Sequence, residues 1–214
     1  VQALIDADLV VYRVAATCDT DEDGALEIAL LRCDKLMQDI CYATDSDNYR
    51  AFLTGRNNFR KRINPEYKAN RKDTVPPRYL QQCRDFLIQN WNAEVTEGCE
   101  ADDALGIAQE DNNTIICTLD KDLDMIPGLH YNWVRSEIYE VNEVDALRNF
   151  YKQLLIGDRS DNIFGVAGIG KVKATKLIDP LEYEEDMYNV VSSLYNDNDR
   201  LCLNMECLWI WRSE

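Results

Sequence analysis

Apolar positions in this chain fall into short buried runs separated by longer amphipathic stretches. Ala3-Leu4-Ile5 reads as a buried strand that ends at Asp6. From Ala25 to Thr44, Leu26, Ala29, Leu30, Cys33, Leu36, Met37 and Ile40 recur at helical spacing, and Arg50 to Thr54 reads as a second strand. Val75-Pro76-Pro77 opens a helix through Tyr79, Leu80, Cys83, Phe86, Leu87 and Trp91, with proline in its favoured early position. Glu94 to Thr96 is a short strand, and Thr114 to Leu119 is the clearest buried strand in the chain. Tyr131–Val134 and Ile138–Val141 pair as strands, Val144–Ile156 is a helix, and residues 179–198 form a further acidic helical stretch. Strands alternating with helices predict an α/β fold with a mainly parallel sheet flanked by helices. Such sheets bind ligands at the carboxyl ends of their strands.

At 214 residues the chain is expected to be a single domain, 46% hydrophobic and 29% charged. The net charge of −16 argues against a protein that coats nucleic acid or anionic membrane with its whole surface. One segment reverses that sign. Residues 56–72 carry seven of the 23 Lys and Arg against a single acid, Glu66, leaving 16 basic and 38 acidic residues elsewhere. Phe59 and Tyr67 are interleaved with these cations, a composition suited to stacking on bases as well as to phosphate contact. The segment reads as an anion-binding arm with Arg60, Lys61, Tyr67, Lys68, Arg71 and Lys72 facing nucleic acid. Residues 18–24 read as a solvated acidic connection. The eight cysteines include no C-x-x-C pair and only His130 is present to complete a zinc set, so reduced thiols in a cytoplasmic protein are expected. His130 reads as a structural or exposed turn residue. Trp209 and Trp211 are expected to dock into the core.

Carboxylates are the candidate chemistry. Glu100-Ala101-Asp102-Asp103 puts three acids at a helix start, where capping needs one or two at most. Three packed together repel unless a cation compensates. Asp6, Glu100, Asp102, Asp103, Asp120 and Asp122 would converge at the carboxyl edge of the sheet, with Asp158 and Asp161 reaching it from one face of a following helix. An all-oxygen set of this kind suits Mg²⁺ or Mn²⁺, and two such ions can serve an in-line phosphoryl displacement. The glycine hairpin of Gly165, Gly168 and Gly170 runs into a helix with Lys171, Lys173 and Lys176, an arrangement that lets backbone N–H groups approach a phosphate.

These motifs in this order resemble the 5′-nuclease superfamily, the flap endonucleases and polymerase-associated 5′-nucleases. The residues that carry the resemblance are Asp6, Pro65–Arg71, Glu100–Asp103, Asp120–Asp122, Gly157–Asn162 and Gly165–Gly170. The Tyr67–Lys72 run is most similar to the short bacteriophage 5′→3′ exonucleases. The resemblance implies a PIN-like core over residues 1–140, with a short helical arch at 55–75. It also implies a helix–three-turn–helix over 141–180 that grips duplex DNA, and a tail at 181–214 that packs on the core. It implies two divalent ions held by the eight carboxylates, with Asp120 shared and catalytic, and Lys68 and Arg71 as the arch bases at the scissile phosphate. A potassium ion on the hairpin carbonyls of Val166 and Ile169 is implied as well. The substrate implied is DNA with a 5′ end or 5′ flap, or an RNA–DNA hybrid, in phage replication or recombination within the host cytoplasm. One departure stands out: Thr54-Gly55-Arg56 lacks the aspartate usual after the second strand, and Asp8 is the available substitute. Two alternatives stay open, a PIN-type ribonuclease and a structure-selective DNA-binding module with an impaired metal site.

Overall fold

β1 (Gln2–Asp6) runs through the middle of a six-stranded sheet, with Ala3, Leu4 and Ile5 fully buried. The structure, a computed structural model, describes residues 1–20, 25–110 and 113–213, so most of the acidic connection read at 18–24 lies outside it. The chain passes from Asp6 directly into α1 (Ala7–Thr20), and the Leu9 N–H donates to Asp6 Oδ1 at 3.1 Å. A strand-end carboxylate thus doubles as a helix cap. α2 (Leu26–Ala43) and β2 (Asn48–Leu53) follow. The basic segment is helical only in α3 (Phe59–Ile63) and in a single 3₁₀ turn at Ala69–Arg71. α4 (Leu80–Trp91) begins three residues after Pro77, later than the prolines suggest. β3 (Glu94–Val95), α5 (Ala101–Ala108), β4 (Thr114–Cys117), a 3₁₀ turn at Lys121–Met125, β5 (Gly128–Asn132) and β6 (Glu137–Val141) complete the sheet region. Beyond it lie α6 (Glu143–Ile156), the hairpin β7 (Gly157–Asp158) and β8 (Ile163–Phe164), α7 (Lys171–Ile178), α8 (Glu184–Leu194) and α9 (Asn198–Leu208).

The strand order is β3-β2-β1-β4-β5-β6, parallel throughout except for β6. β1 lies between β2 and β4, so the winding direction reverses there and a crevice opens at the carboxyl ends of β1 and β4. Side-chain alternation splits the core. Ala3 and Ile5 pack under α1, α2 and α4, whereas Leu4 faces α5 with Phe52, Ile116 and Ile210. A third cluster joins α6 to α9. The tail therefore packs in two ways: α8 and α9 cover α6 and α7, while Ile210 enters the sheet core. All eight cysteines are free thiols and Cys18, Cys33, Cys83, Cys117 and Cys207 are buried, as small apolar side chains would be. Among the described residues no helix is long and apolar enough to cross a membrane.

Candidate active site

Asp6 closes β1 and is buried; its Oδ2 accepts from Thr118 Oγ1 at 2.8 Å across the β1–β4 crevice. Thr118 also receives the Asp120 N–H at 3.0 Å, and Asp120 caps the following 3₁₀ turn by accepting from the Asp122 N–H at 2.9 Å. Parallel register thus brings residues more than a hundred positions apart to one edge. Burial pushes the Asp6 carboxyl up to about 7, with Asp8 and Asp120 adding repulsion. Burial, then Asp120 and Asp158, push Asp122 up to about 7. Asp102 is raised well above the usual range by burial, Asp6, Asp120 and Glu100. Asp6, Asp102, Asp120 and Asp122 are therefore neighbours in one electrostatic field.

Glu100 joins this edge to the basic arm. It is the N-terminal cap of α5, and its carboxylate accepts from Asn58 Nδ2 at 2.8 Å, Tyr67 Oη at 2.9 Å and Lys68 Nζ at 2.5 Å. The arm then docks on the turn between β7 and β8. The Lys68 N–H donates to Asp161 O, Asn70 Nδ2 to Arg159 O, and Arg71 Nε to Ser160 O. Arg71 Nη2 also donates to Asp161 Oδ1 at 2.6 Å. Burial alone would lower the Lys68 pKa, but Glu100 and Asp161 outweigh it and raise it. A cavity of about 900 Å³ opens beside the arm, lined by Tyr12, Arg56, Lys61, Lys68, Glu100 and Asp120 among others. A second, of about 670 Å³, is lined by Asp120, Asp122, Asp158, Lys152, Gln153 and Lys171 among others. Asp120 stands on the wall of both.

Several expectations are corrected. Arg60 does not face nucleic acid. It is 2% exposed and pairs with Asp103 through Nη1–Oδ2 at 2.5 Å and Nη2–Oδ1 at 2.8 Å. Asp103 is in turn fully buried, and both of its oxygens are taken by that guanidinium and by the Glu100 and Trp211 N–H groups. Tyr67 is 3% exposed with its hydroxyl shared between Glu100 and Asp161, and it offers no ring for stacking on DNA. Phe59 stacks on Trp211 instead, with centroids 4.8 Å apart. Asp158 and Asp161 do not share a helical face, because β7, a turn and β8 occupy that stretch. Asp158 accepts from Ser160, whereas Asp161 turns to the arm. Asp8 is not free to replace a missing aspartate, since it pairs with Arg84 at 2.5 Å and accepts the Thr54 N–H. His130 lies in β5, fully buried, with Nε2 against Ile126 O.

Lys61 and Lys72 are exposed on the arm, as are Lys171 and Lys173 at the start of α7, whose N-cap is Gly170. Gly165 and Gly168 belong to the turn before it, together with Val166, whose carbonyl accepts the Ile169 N–H. Sequence reasoning missed Asn58, Thr118, Arg84 and Tyr12. Thr118 carried a signal, a hydroxyl between apolar Cys117 and Leu119 two residues before Asp120, and so did Arg84, a cation one position from the core residue Cys83. Among the described residues no three Asp, Glu, His or Cys side chains already stand in a metal-holding arrangement, and the Lys68 ammonium lies between Glu100 and Asp161. The donor set still fits hard divalent cations: it offers carboxylate oxygens alone, and Asp6, Asp102 and Asp122 are raised by burial and repulsion that a cation would relieve.

Fold and acidic edge together define an α/β domain with a carboxylate-rich crevice at the switch point of its sheet. Residues 2–150 match the family described as the 5′-3′ exonuclease, N-terminal resolvase-like domain, and the chain belongs to that family. It is 32% identical over 153 residues to DNA polymerase I of Caldicellulosiruptor bescii, a match covering 60% of this chain and 18% of the polymerase. The chain thus spans less than a fifth of the length of such relatives. Among solved structures it resembles a bacteriophage T5 flap endonuclease variant in a pseudo-enzyme-product complex with DNA and metal ions. There the TM-score is 0.74 at 16% identity, over 97% of this chain and 89% of that one. The catalytic core of Rad2 in complex with DNA substrate superposes with a TM-score of 0.52 at 13% identity, over 95% and 72% of the two chains. These likenesses show the fold.

Proposed function

We propose that the chain is a divalent-metal-dependent nuclease that hydrolyses DNA at 5′ ends or 5′ flaps, working in phage replication or recombination. The observation that carries this reading is the meeting of arm cations and edge carboxylates: Lys68 and Arg71 contact Glu100 and Asp161 at the mouth of the β1–β4 crevice. Asp6, Glu100, Asp102, Asp120, Asp122, Asp158 and Asp161 would hold two Mg²⁺ or Mn²⁺ ions, Asp120 serving both. When bound, such ions supply Lewis-acid stabilisation of the attacking and leaving oxygens. Asp6 and Asp120 are held in place by Thr118, so little reorganisation is needed at that edge. Lys68 and Arg71 exchange their carboxylate partners for the scissile phosphate, where their charge favours the transition state. Tyr12, half-exposed in the cation-lined cavity, offers the aromatic face that Tyr67 does not.

The segment 141–180 would act as the helix–three-turn–helix, with Lys171 and Lys173 on duplex phosphates, Gly165, Gly168 and Gly170 allowing close approach, and K⁺ on the carbonyls of Val166 and Ile169. In domain terms, residues 1–140 would form the catalytic core, 141–180 the duplex grip and 181–214 a supporting tail. An RNA–DNA hybrid is a further substrate of the same geometry. Gly55 and the Asp8–Arg84 pair favour one competing reading, a DNA-binding module with a weakened metal site. Incubating a 5′-flapped duplex, a nicked duplex and single-stranded RNA with Mg²⁺ separates the readings. The nuclease cleaves the first two, a ribonuclease prefers the third, and a binding module retains the duplexes uncut.

A further inference from the structure

We propose that Arg60 is a positioning residue, whose clasp with Asp103 and the carbonyls of Cys207 and Trp209 fixes Glu100 and the arm for the reaction. This rests on the nuclease reading above. Arg60 Nη1 and Nη2 hold Asp103, Nε donates to Cys207 O at 2.8 Å, and Nη2 donates to Trp209 O at 2.7 Å. Asp103 passes the constraint on, accepting the Glu100 N–H at 3.0 Å and the Trp211 N–H at 3.2 Å. Glu100 is thereby gripped twice. Its backbone is tied to Asp103, and its carboxylate is tied to Asn58, which sits two residues before Arg60 and accepts the Arg60 N–H.

The segment 207–211 is seated closely enough to transmit position. A Cβ on Gly106 of α5 would stand 2.2 Å from Trp211 O, so the segment lies directly on the helix that bears Asp102. Ile210 is buried in the sheet core, and Trp211 stacks on Phe59 at the start of α3. A buried ion pair is seldom more stable than apolar side chains of the same volume. Here the pair and its directed bonds link three separate chain segments, the arm at α3, the start of α5 and residues 207–211, and those bonds specify geometry beyond any stability they add.

Two variants of the full chain test this: Arg60→Lys, and Arg60→Met combined with Asp103→Leu, which replaces the pair by apolar packing. Each is assayed below its own melting temperature. A positioning role predicts that both lose about tenfold or more in single-turnover rate on 5′-flap DNA at saturating Mg²⁺, while DNA affinity changes less than about threefold. It also predicts, with neither metal nor DNA present, faster trypsin cutting after Lys68, Arg71 or Lys72. A purely stabilising role predicts that the double change, once folded, cleaves at the parent rate with the parent trypsin pattern, and that outcome overturns the proposal. If the double variant does not fold, Arg60→Lys decides on the same two readouts. If the parent cleaves no DNA, the nuclease reading has failed, and the trypsin comparison still decides whether the clasp holds the arm.

Discussion

The ammonium of Lys68 lies 2.5 Å from Glu100 Oε1 and 3.6 Å from Asp161 Oδ2, bridging two carboxylates from distant parts of the chain. Its backbone is left-handed, with φ 55°, which breaks the arm's helical turns and directs the side chain into the acidic edge. Lys68 is thus a tethered counter-ion to these two carboxylates. Removing it should have two opposite effects. Lys68→Ala should slow single-turnover cleavage tenfold or more, roughly 1.4 kcal/mol of barrier, because charge at the phosphate grows in the transition state. The same variant should bind Mn²⁺ more tightly by calorimetry, since no ammonium competes for Glu100 and Asp161. Parent cleavage with parent Mn²⁺ affinity would remove Lys68 from the site.

Tyr67→Phe deletes only the hydroxyl, whose single proton is shared between Glu100 Oε2 at 2.9 Å and Asp161 Oδ2 at 2.8 Å. Hydrogen bonds to charged groups contribute about 1.5–3 kcal/mol, so urea unfolding should show a loss of that order. DNA affinity should stay within about threefold, because the ring is buried. A large loss of affinity without a loss of stability would mean that Tyr67 meets DNA after all.

Stability should depend on pH in a way that metal reverses. Asp6 and Asp122 are raised from 3.8 to about 7, so between these values the native chain binds more protons than the unfolded one. Their contribution is fully present below about pH 4 and is lost as pH rises through about 7. His130 acts with the opposite sign at lower pH: burial holds its pKa below the ordinary 6.5, so its contribution is present above that value and is lost as pH falls below it. The metal-free protein should therefore melt lower at pH 8 than at pH 6.5, and Mg²⁺ should restore it at pH 8 by binding the native state. A melting temperature that rises from pH 6.5 to pH 8 without metal contradicts this.

Gly55→Asp, which places an aspartate just after β2, should not create a ligand. A Cβ at Gly55 would meet Thr96 O at 1.9 Å, backbone that cannot give way cheaply. We expect a loss of about 1–3 kcal/mol in urea unfolding and no gain in Mn²⁺ affinity by calorimetry. Parent stability with tighter Mn²⁺ binding would show that the loop adapts.

The parallel sheet and the acidic edge were legible because strand alternation and carboxylates at strand ends leave local marks: Asp6 and Asp120 follow apolar runs. Roles set by long-range pairing were not. Arg60 looks like any cation of a basic run, and only the packing of 207–211 against α5 turns it inward. Tyr67 likewise carries the composition of a stacking residue, yet its hydroxyl satisfies two carboxylates 33 and 94 positions away. Asp158 and Asp161 have helical spacing, but the positive φ of Gly157 and Asn162 favours a hairpin there.

Asp120 lines both cavities and is the carboxylate assigned to both ions, so the nuclease reading makes its sharpest demand there. Its direct test is a denaturing gel of 5′-labelled flap DNA incubated with the parent chain and with Asp120→Asn, in Mg²⁺, in chelator, and in chelator followed by excess Mg²⁺. The account predicts labelled fragments from the parent in Mg²⁺, none in chelator, and their return when Mg²⁺ is restored. Asp120→Asn should still bind the DNA and give no fragments. Undiminished cleavage in excess chelator, or parent-level cleavage by Asp120→Asn, would contradict it.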